Sequence, residues 1–102
     1  MVRIIDKHRK ELADMCRRYY VKRLYVFGSA ATDDLQKASD IDFLVEFTDD
    51  VAPRRFDNFF ELQRALAELF GRDVDLVEPG GLRNPYFIRR VNRTREQIYA
   101  RP

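Results

Sequence analysis

The residues best suited to chemistry are two aspartates separated by one apolar residue. Asp40 and Asp42 flank Ile41 in the segment ASDIDFLVEF. Successive side chains of a strand point to opposite faces, so both carboxylates would lie on one face, close together. Two ionised carboxylates repel each other, and in a partly dry site one is protonated unless a cation compensates. Mg²⁺, which prefers oxygen ligands and substrate phosphates, would resolve the conflict.

Two further features support a metal and phosphate site. Gly28 and Ser29 end the preceding apolar segment, where a glycine lets backbone N–H groups approach a polyphosphate and a serine hydroxyl can donate to it. Asp75 alternates with apolar residues in DVDLV and would complete a three-carboxylate cluster if that strand neighbours the first acidic one. The alternative is a strand with an exposed acidic face, the commoner cause of an isolated DxD pattern.

Hydrophobic periodicity predicts the elements that position these residues. They are a helix over 4–19, a strand over 21–27, a strand over 41–47, a helix from Pro53 to a C-cap at Gly71, a strand over 73–77 and a looser helix over 85–99. The order predicts an α/β (α+β) fold, a small sheet flanked by helices. The connection between the first two strands permits a parallel or an antiparallel pair.

Length and composition restrict the function further. A chain of 102 residues fits one domain, residues 1–102, and a net charge of +2 is too small to indicate a nucleic-acid binder. A single cysteine excludes an intrachain disulfide, and the N-terminus lacks the apolar segment of a secretory signal. No apolar run approaches the roughly 20 residues that cross a bilayer. We therefore expect a soluble cytoplasmic protein without membrane partners.

The spacing of these motifs resembles that of a known family. Gly28-Ser29, ten residues, then Asp40-Ile41-Asp42 is similar to the GS-x10-D-x-D arrangement of polymerase-β-like nucleotidyltransferases, and the length resembles that of their minimal members. The likeness extends along the chain through LYVFGSAA, SDIDFLV, LFGRDVDLV and NPY. It implies the polymerase-β-like fold, with a small mixed sheet flanked by helices.

The resemblance also implies a mechanism. Asp40, Asp42 and Asp75 would hold Mg²⁺, as two ions, while Gly28 and Ser29 would cradle the β- and γ-phosphates of a nucleotide. A hydroxyl would attack the α-phosphate in line and release pyrophosphate, with Asp75 as the base or the metal-bound activator of that hydroxyl.

The segment after Gly-Ser departs from the family pattern. Many members continue with x-Ala-Arg-Gly, whereas this chain has Ala30-Ala31-Thr32-Asp33. Losing the arginine and gaining an acid should weaken nucleotide binding. We consider Arg23, Arg54 and Arg72 as substitute cations.

The implied partner is a protein. Small nucleotidyltransferases of this type resemble antitoxins that transfer AMP from ATP to a tyrosine of a HEPN-type toxin, with which a hetero-oligomer is expected. A chain this short has no room for a separate substrate-recognition domain, so a bound protein is a reasonable acceptor.

Two other functions stay open. The domain could neutralise its partner by docking alone, without catalysis. It could also bind nucleic acid through its C-terminal arginines, but direct binding is not expected because a solvated helix face explains them more simply. These arginines are Arg83, Arg89, Arg90, Arg93, Arg95 and Arg101.

Overall fold

The computed structural model describes residues 4–28, 40–81 and 83–102. Its helices and strands are α1 (Ile4–Lys7), α2 (Arg9–Arg18), β1 (Val21–Phe27), β2 (Asp40–Phe47), α3 (Arg55–Phe70), β3 (Asp73–Val77), α4 (Pro85–Thr94) and β4 (Glu96–Ala100). Short 3-10 segments, Asp49–Arg54 and Pro79–Gly81, precede α3 and α4. The prediction of an α/β fold with a small sheet is confirmed.

The strands form one mixed sheet in the order β3-β2-β1-β4. β1 runs antiparallel to both β2 and β4, whereas β2 and β3 are parallel. A parallel pair needs a long crossover, and α3 supplies it between β2 and β3. This crossover brings the two acidic strands side by side.

Helices cover both faces of the sheet. On one face, α2 and α3 enclose the main core, in which Val26, Ile41 and Phe43 are fully buried. On the other face, Val91 of α4 packs against Phe27 and Leu44. Ile41 and Phe43 therefore point into the main core, and the residues alternating with them point towards the α4 side.

Two predicted helices are corrected by the structure. The helix over 4–19 is interrupted at His8, which has a non-helical ψ of 19° and precedes α2. The helix over 85–99 ends at Thr94, because Arg95 is extended with ψ of 139° and the chain continues as β4. β4 takes the open edge of β1 and buries Ile98 in the main core.

Helix ends largely follow the sequence signals. Gly71 adopts the left-handed conformation, φ 64°, that ends α3. The Asn84 side chain accepts hydrogen bonds from the N–H groups of Tyr86 and Phe87 at the start of α4. Pro53 lies inside the 3-10 segment rather than opening α3. None of the described helices, the longest having 16 residues, has the length and apolar character of a bilayer-spanning segment.

Candidate active site

The parallel pairing of β2 with β3 brings the predicted carboxylates together. Asp40 lies opposite Asp73, and Asp42 lies opposite Asp75. Side chains at paired positions share a face, and so do residues two apart along one strand. All four carboxylates therefore lie on the α4 side of the sheet, beyond the apolar patch that α4 covers. The condition that β3 must neighbour β2 is met, with Asp73 and Asp75 on the same face.

Asp42 and Asp75 form a hydrogen-bonded acidic pair on this face. The pKa of Asp42 is raised to about 6, mainly by burial and then by the negative charge of Asp75 and a hydrogen bond between the two carboxyls. The Arg90 guanidinium opposes this rise, and Asp40 adds a smaller upward effect. A raised pKa is expected for a partly buried carboxyl beside a second acid when no metal ion compensates the charge.

The donor set of the acidic face suits one kind of metal site. Within the described ranges, no three Asp, Glu, His or Cys side chains are arranged as a ready-made group of metal ligands. Mg²⁺, however, is typically held by one or two carboxylates together with waters and substrate phosphates. The Asp42–Asp75 pair, with Asp40 two residues away on the same face, fits that requirement.

Gly28 closes one side of the acidic pair. It follows Phe27, which pairs with Asp42 across β1 and β2, and its φ is +69°. A Cβ at this position would lie 2.9 Å from Asp42 Oδ2. Glycine is therefore required both for the backbone conformation and for the space beside the carboxylate. Ser29 and the segment Ala30-Ala31-Thr32-Asp33 lie outside the described residues.

Arg90 is a site residue that the sequence interpretation missed. One of its guanidinium nitrogens lies 3.2 Å from the same Cβ position of Gly28, so it reaches the Asp42 carboxylate from α4. Arg23, by contrast, pairs with Glu46 at 3.1 Å, away from this end of β1. Arg90 precedes Val91, which is buried in α4. Its place at the edge of the apolar face of this helix was the only indication in the sequence that it could reach the site.

A hydroxyl group connects α4 to the end of β1. The N–H of Gly28 donates to Thr94 Oγ1 at 3.0 Å. The Thr94 hydroxyl donates in turn to the carbonyl oxygen of Arg90 at 2.8 Å. This bridge fixes the backbone that carries Arg90 relative to the glycine beside Asp42.

A cleft opens from the acidic face at the β3 edge. Its volume is about 510 Å³. The lining comprises Asp40, Asp73, Val74 and Asp75 from the strands, with Phe60, Gln63, Arg64 and Ala67 from α3. A smaller apolar groove of about 210 Å³ adjoins it, and Phe60 lines both. The aromatic rings of this groove reach solvent, with Phe56 77% and Phe60 61% exposed.

Two other features have structural explanations. Cys16 is buried, and burial raises the pKa of its thiol to about 12, so it is not a nucleophile at neutral pH. Two of the C-terminal arginines lie over aromatic rings of this chain: Arg89 over Tyr86 and Arg95 over Tyr25, both at 4.9 Å. These contacts indicate that the two arginines pack within the protein rather than form a nucleic-acid-binding surface.

Comparison with known proteins places this geometry in context. Residues 5–97 match the family described as Nucleotidyltransferase domain. A Methanocaldococcus jannaschii protein, MJ0128, provisionally named a protein adenylyltransferase, is 42% identical over 83 residues, which cover 81% of this chain and 79% of that relative. A solved structure described as a minimal nucleotidyltransferase superposes with a TM-score of 0.71 at 32% identity, covering 88% of each chain.

A complex of a tri-AMPylated HEPN toxin from Shewanella oneidensis with an MNT antitoxin also contains a similar chain. The TM-score is 0.63 at 21% identity, covering 96% of this chain and 74% of that one. At this level of identity the likeness concerns the fold.

Proposed function

This chain belongs to the nucleotidyltransferase domain family, and we propose that it transfers AMP from ATP to a tyrosine hydroxyl of a HEPN-type toxin and thereby acts as its antitoxin. The observation that carries the proposal is the parallel register that places Asp75 beside Asp42, next to Gly28 at the end of β1. The adenylyltransferase name of MJ0128 and the AMPylated toxin complex support the choice of AMP and of a protein acceptor.

Each site residue has a distinct role in this proposal. Asp42, Asp75 and Asp40 hold Mg²⁺, and Gly28 with Ser29 binds the β- and γ-phosphates. When bound, Mg²⁺ offsets negative charge on the attacking and leaving oxygens. The acceptor oxygen forms a bond to the α-phosphorus as the bond to the bridging oxygen breaks, and pyrophosphate leaves. Asp75, the more exposed carboxyl of the pair, accepts the proton of the attacking hydroxyl.

The two sides of the acidic face suit two different substrates. Gly28 and α4 border Asp42 on the β1 side, where the nucleotide phosphates would lie. The open cleft borders Asp75 on the β3 side, where an acceptor hydroxyl could enter. Exposed aromatic side chains next to that entrance, Phe56 and Phe60, are typical of a protein-binding surface.

Mass spectrometry of the partner tests the proposal. With ATP and Mg²⁺, the purified protein should add one or more AMP groups to its HEPN-type toxin partner, sought first in the neighbouring gene. Asp42→Asn should abolish the addition, whereas Asp49→Asn, which changes an exposed acid after β2, should not. An unchanged mass of the true partner would refute AMP transfer.

Docking without catalysis is the second candidate. The apolar groove lined by Phe56, Phe59 and Phe60 does not include the acidic pair, so partner binding could persist without chemistry. Replacing Asp40, Asp42 and Asp75 together by alanine separates the two functions. If this variant still suppresses toxicity while transferring no AMP, docking is sufficient.

A further inference from the structure

Arg90 is the cation that the fold brings to the acidic pair. One of its guanidinium nitrogens lies 3.2 Å from the position that a Cβ of Gly28 would occupy, and Asp42 Oδ2 lies 2.9 Å from the same position. It belongs to α4, far along the chain from both motifs that define the site. Arg90 does not lie in the motif segment after Gly28.

The charge of the acidic face creates a requirement for such a residue. Four carboxylates lie together on β2 and β3, and a nucleoside triphosphate would bring further negative charge to the same place. A guanidinium stays protonated at any working pH and offers a planar fork of N–H donors that matches two phosphate oxygens. An arginine at this position can therefore stabilise phosphates that the carboxylates repel.

The backbone of Arg90 is held in place by its neighbours, while the residue itself is exposed. The Thr94 hydroxyl bridges Gly28 and the Arg90 carbonyl, and the adjacent Val91 is buried against Phe27. The Arg90 residue itself is exposed. The guanidinium can thus turn from the Asp42 carboxylate to a phosphate beside Gly28 without moving α4.

We propose that Arg90 binds the β- and γ-phosphates of the nucleotide from the α4 side, beside the backbone of Gly28. Without nucleotide the guanidinium lies near the Asp42 carboxylate. With Mg²⁺ held by the carboxylates, the guanidinium would contact the triphosphate instead. The inference rests on the proposed function, because it names the side chain that holds the nucleotide of that reaction.

Binding measurements on two arginine variants test this role. The ligands are AMP and an ATP analogue with a methylene bridge between its α- and β-phosphates, measured by calorimetry with Mg²⁺ in the absence of acceptor. Arg90→Met should weaken binding of the analogue by about tenfold or more, the usual loss for a charge-assisted hydrogen bond. The affinity for AMP, which lacks the β- and γ-phosphates, should change little. Arg93→Met, a matched change at an exposed position of α4, should leave both affinities unchanged.

A second variant separates charge from geometry. Arg90→Lys keeps the charge and loses the planar fork, so it should bind the analogue more weakly than wild type and more tightly than Arg90→Met. Thermal unfolding should give similar midpoints for Arg90→Met and Arg93→Met, because both positions are exposed.

Each contrary result has a defined meaning. If Arg90→Met binds the analogue like wild type while wild type still modifies its partner, the inference is wrong and the proposed function stands. Equal losses for AMP and the analogue would also overturn a phosphate contact. If wild-type protein does not bind the analogue at all, the inference fails together with the proposed nucleotide site.

Discussion

Asp42 has the most constrained environment of the residues in the candidate site. It meets Asp75 across the parallel pair, Arg90 from α4 and the Gly28 backbone from β1. Asp42 is partly buried because it lies on β2 between two residues that are buried in the main core. Ionisation of this carboxylate is therefore unfavourable unless a cation binds beside it, as the proposed function requires.

This cost should be visible as a pH dependence of stability in the absence of metal. The pKa of Asp42 is raised from 3.8 to about 6 in the folded protein, so the native state retains a proton that the unfolded chain releases. The resulting stabilisation is fully present below pH 3.8 and is lost as the pH rises through about 6. The Asp42→Asn side chain cannot ionise, so this variant does not lose that stabilisation as the pH rises. When the pH is raised from roughly 4 to 7.5, we expect the free energy of unfolding of the variant to increase by about 1 kcal/mol relative to wild type. The effect is this small because Asp42 is only half buried.

Urea unfolding with a chelator, at both pH values, measures this difference. The exposed Asp49→Asn is the control and should follow the wild-type profile. Adding Mg²⁺ at the higher pH should stabilise wild type more than Asp42→Asn, because a metal binds the ionised carboxylate of the native state. Parallel pH profiles for Asp42→Asn and wild type would contradict the origin assigned to the shift.

At the scale of elements, local patterns predicted most of the fold. β1, β2, β3 and the main part of α3 follow from periodicity and from the stop signals at their ends, because these properties belong to short stretches of sequence. β4 could not be predicted in the same way. Ile98 and Tyr99 also fit a helical spacing, and what decides for a strand is the open edge of β1, an element more than 65 residues earlier in the chain.

The same distinction applies to the site. The shared face of Asp40 and Asp42 is a consequence of strand alternation and could be predicted. The placement of Arg90 depends on how α4 docks, through a hydrogen bond between Gly28 and Thr94 that spans 66 positions. Nothing in the residues next to Arg90 encodes that contact.

Two glycines at the ends of secondary-structure elements allow an effect on stability to be distinguished from an effect on activity. Gly28 ends β1 with φ +69°, and Gly71 ends α3 with φ +64°. Alanine should cost about 1 kcal/mol at either position, because both require a left-handed backbone. Only Gly28→Ala should also stop AMP transfer, since its methyl group would displace the Asp42 carboxylate, whereas a Cβ at Gly71 has no atom within 4 Å. Chemical denaturation and the mass assay measure the two effects; retained transfer by Gly28→Ala would contradict this account.

At the scale of the whole molecule, the acidic face can be reached from two sides, one at β1 and one at β3. The β1 side is bordered by Gly28 and by Arg90 of α4, which suits phosphates. The β3 side opens into the cleft and then into the aromatic groove on α3, which suits a protein. In-line transfer requires the attacking and leaving groups to lie on opposite sides of the α-phosphorus. The proposed reaction places the leaving phosphates on the β1 side and the attacking hydroxyl on the β3 side.

The separation predicts that partner recognition can be weakened without affecting the nucleotide. Replacing Phe56 and Phe60 by alanine removes the exposed aromatic surface of the groove. We expect the rate of AMP transfer at low partner concentration to fall by about tenfold or more, because buried aromatic anchors dominate protein interfaces. The affinity for the methylene analogue of ATP should stay unchanged. Tyr86→Ala, at an equally exposed aromatic on α4, is the control and should retain full transfer. Equal losses from both variants, or none from the double variant, would place the acceptor elsewhere on the molecule.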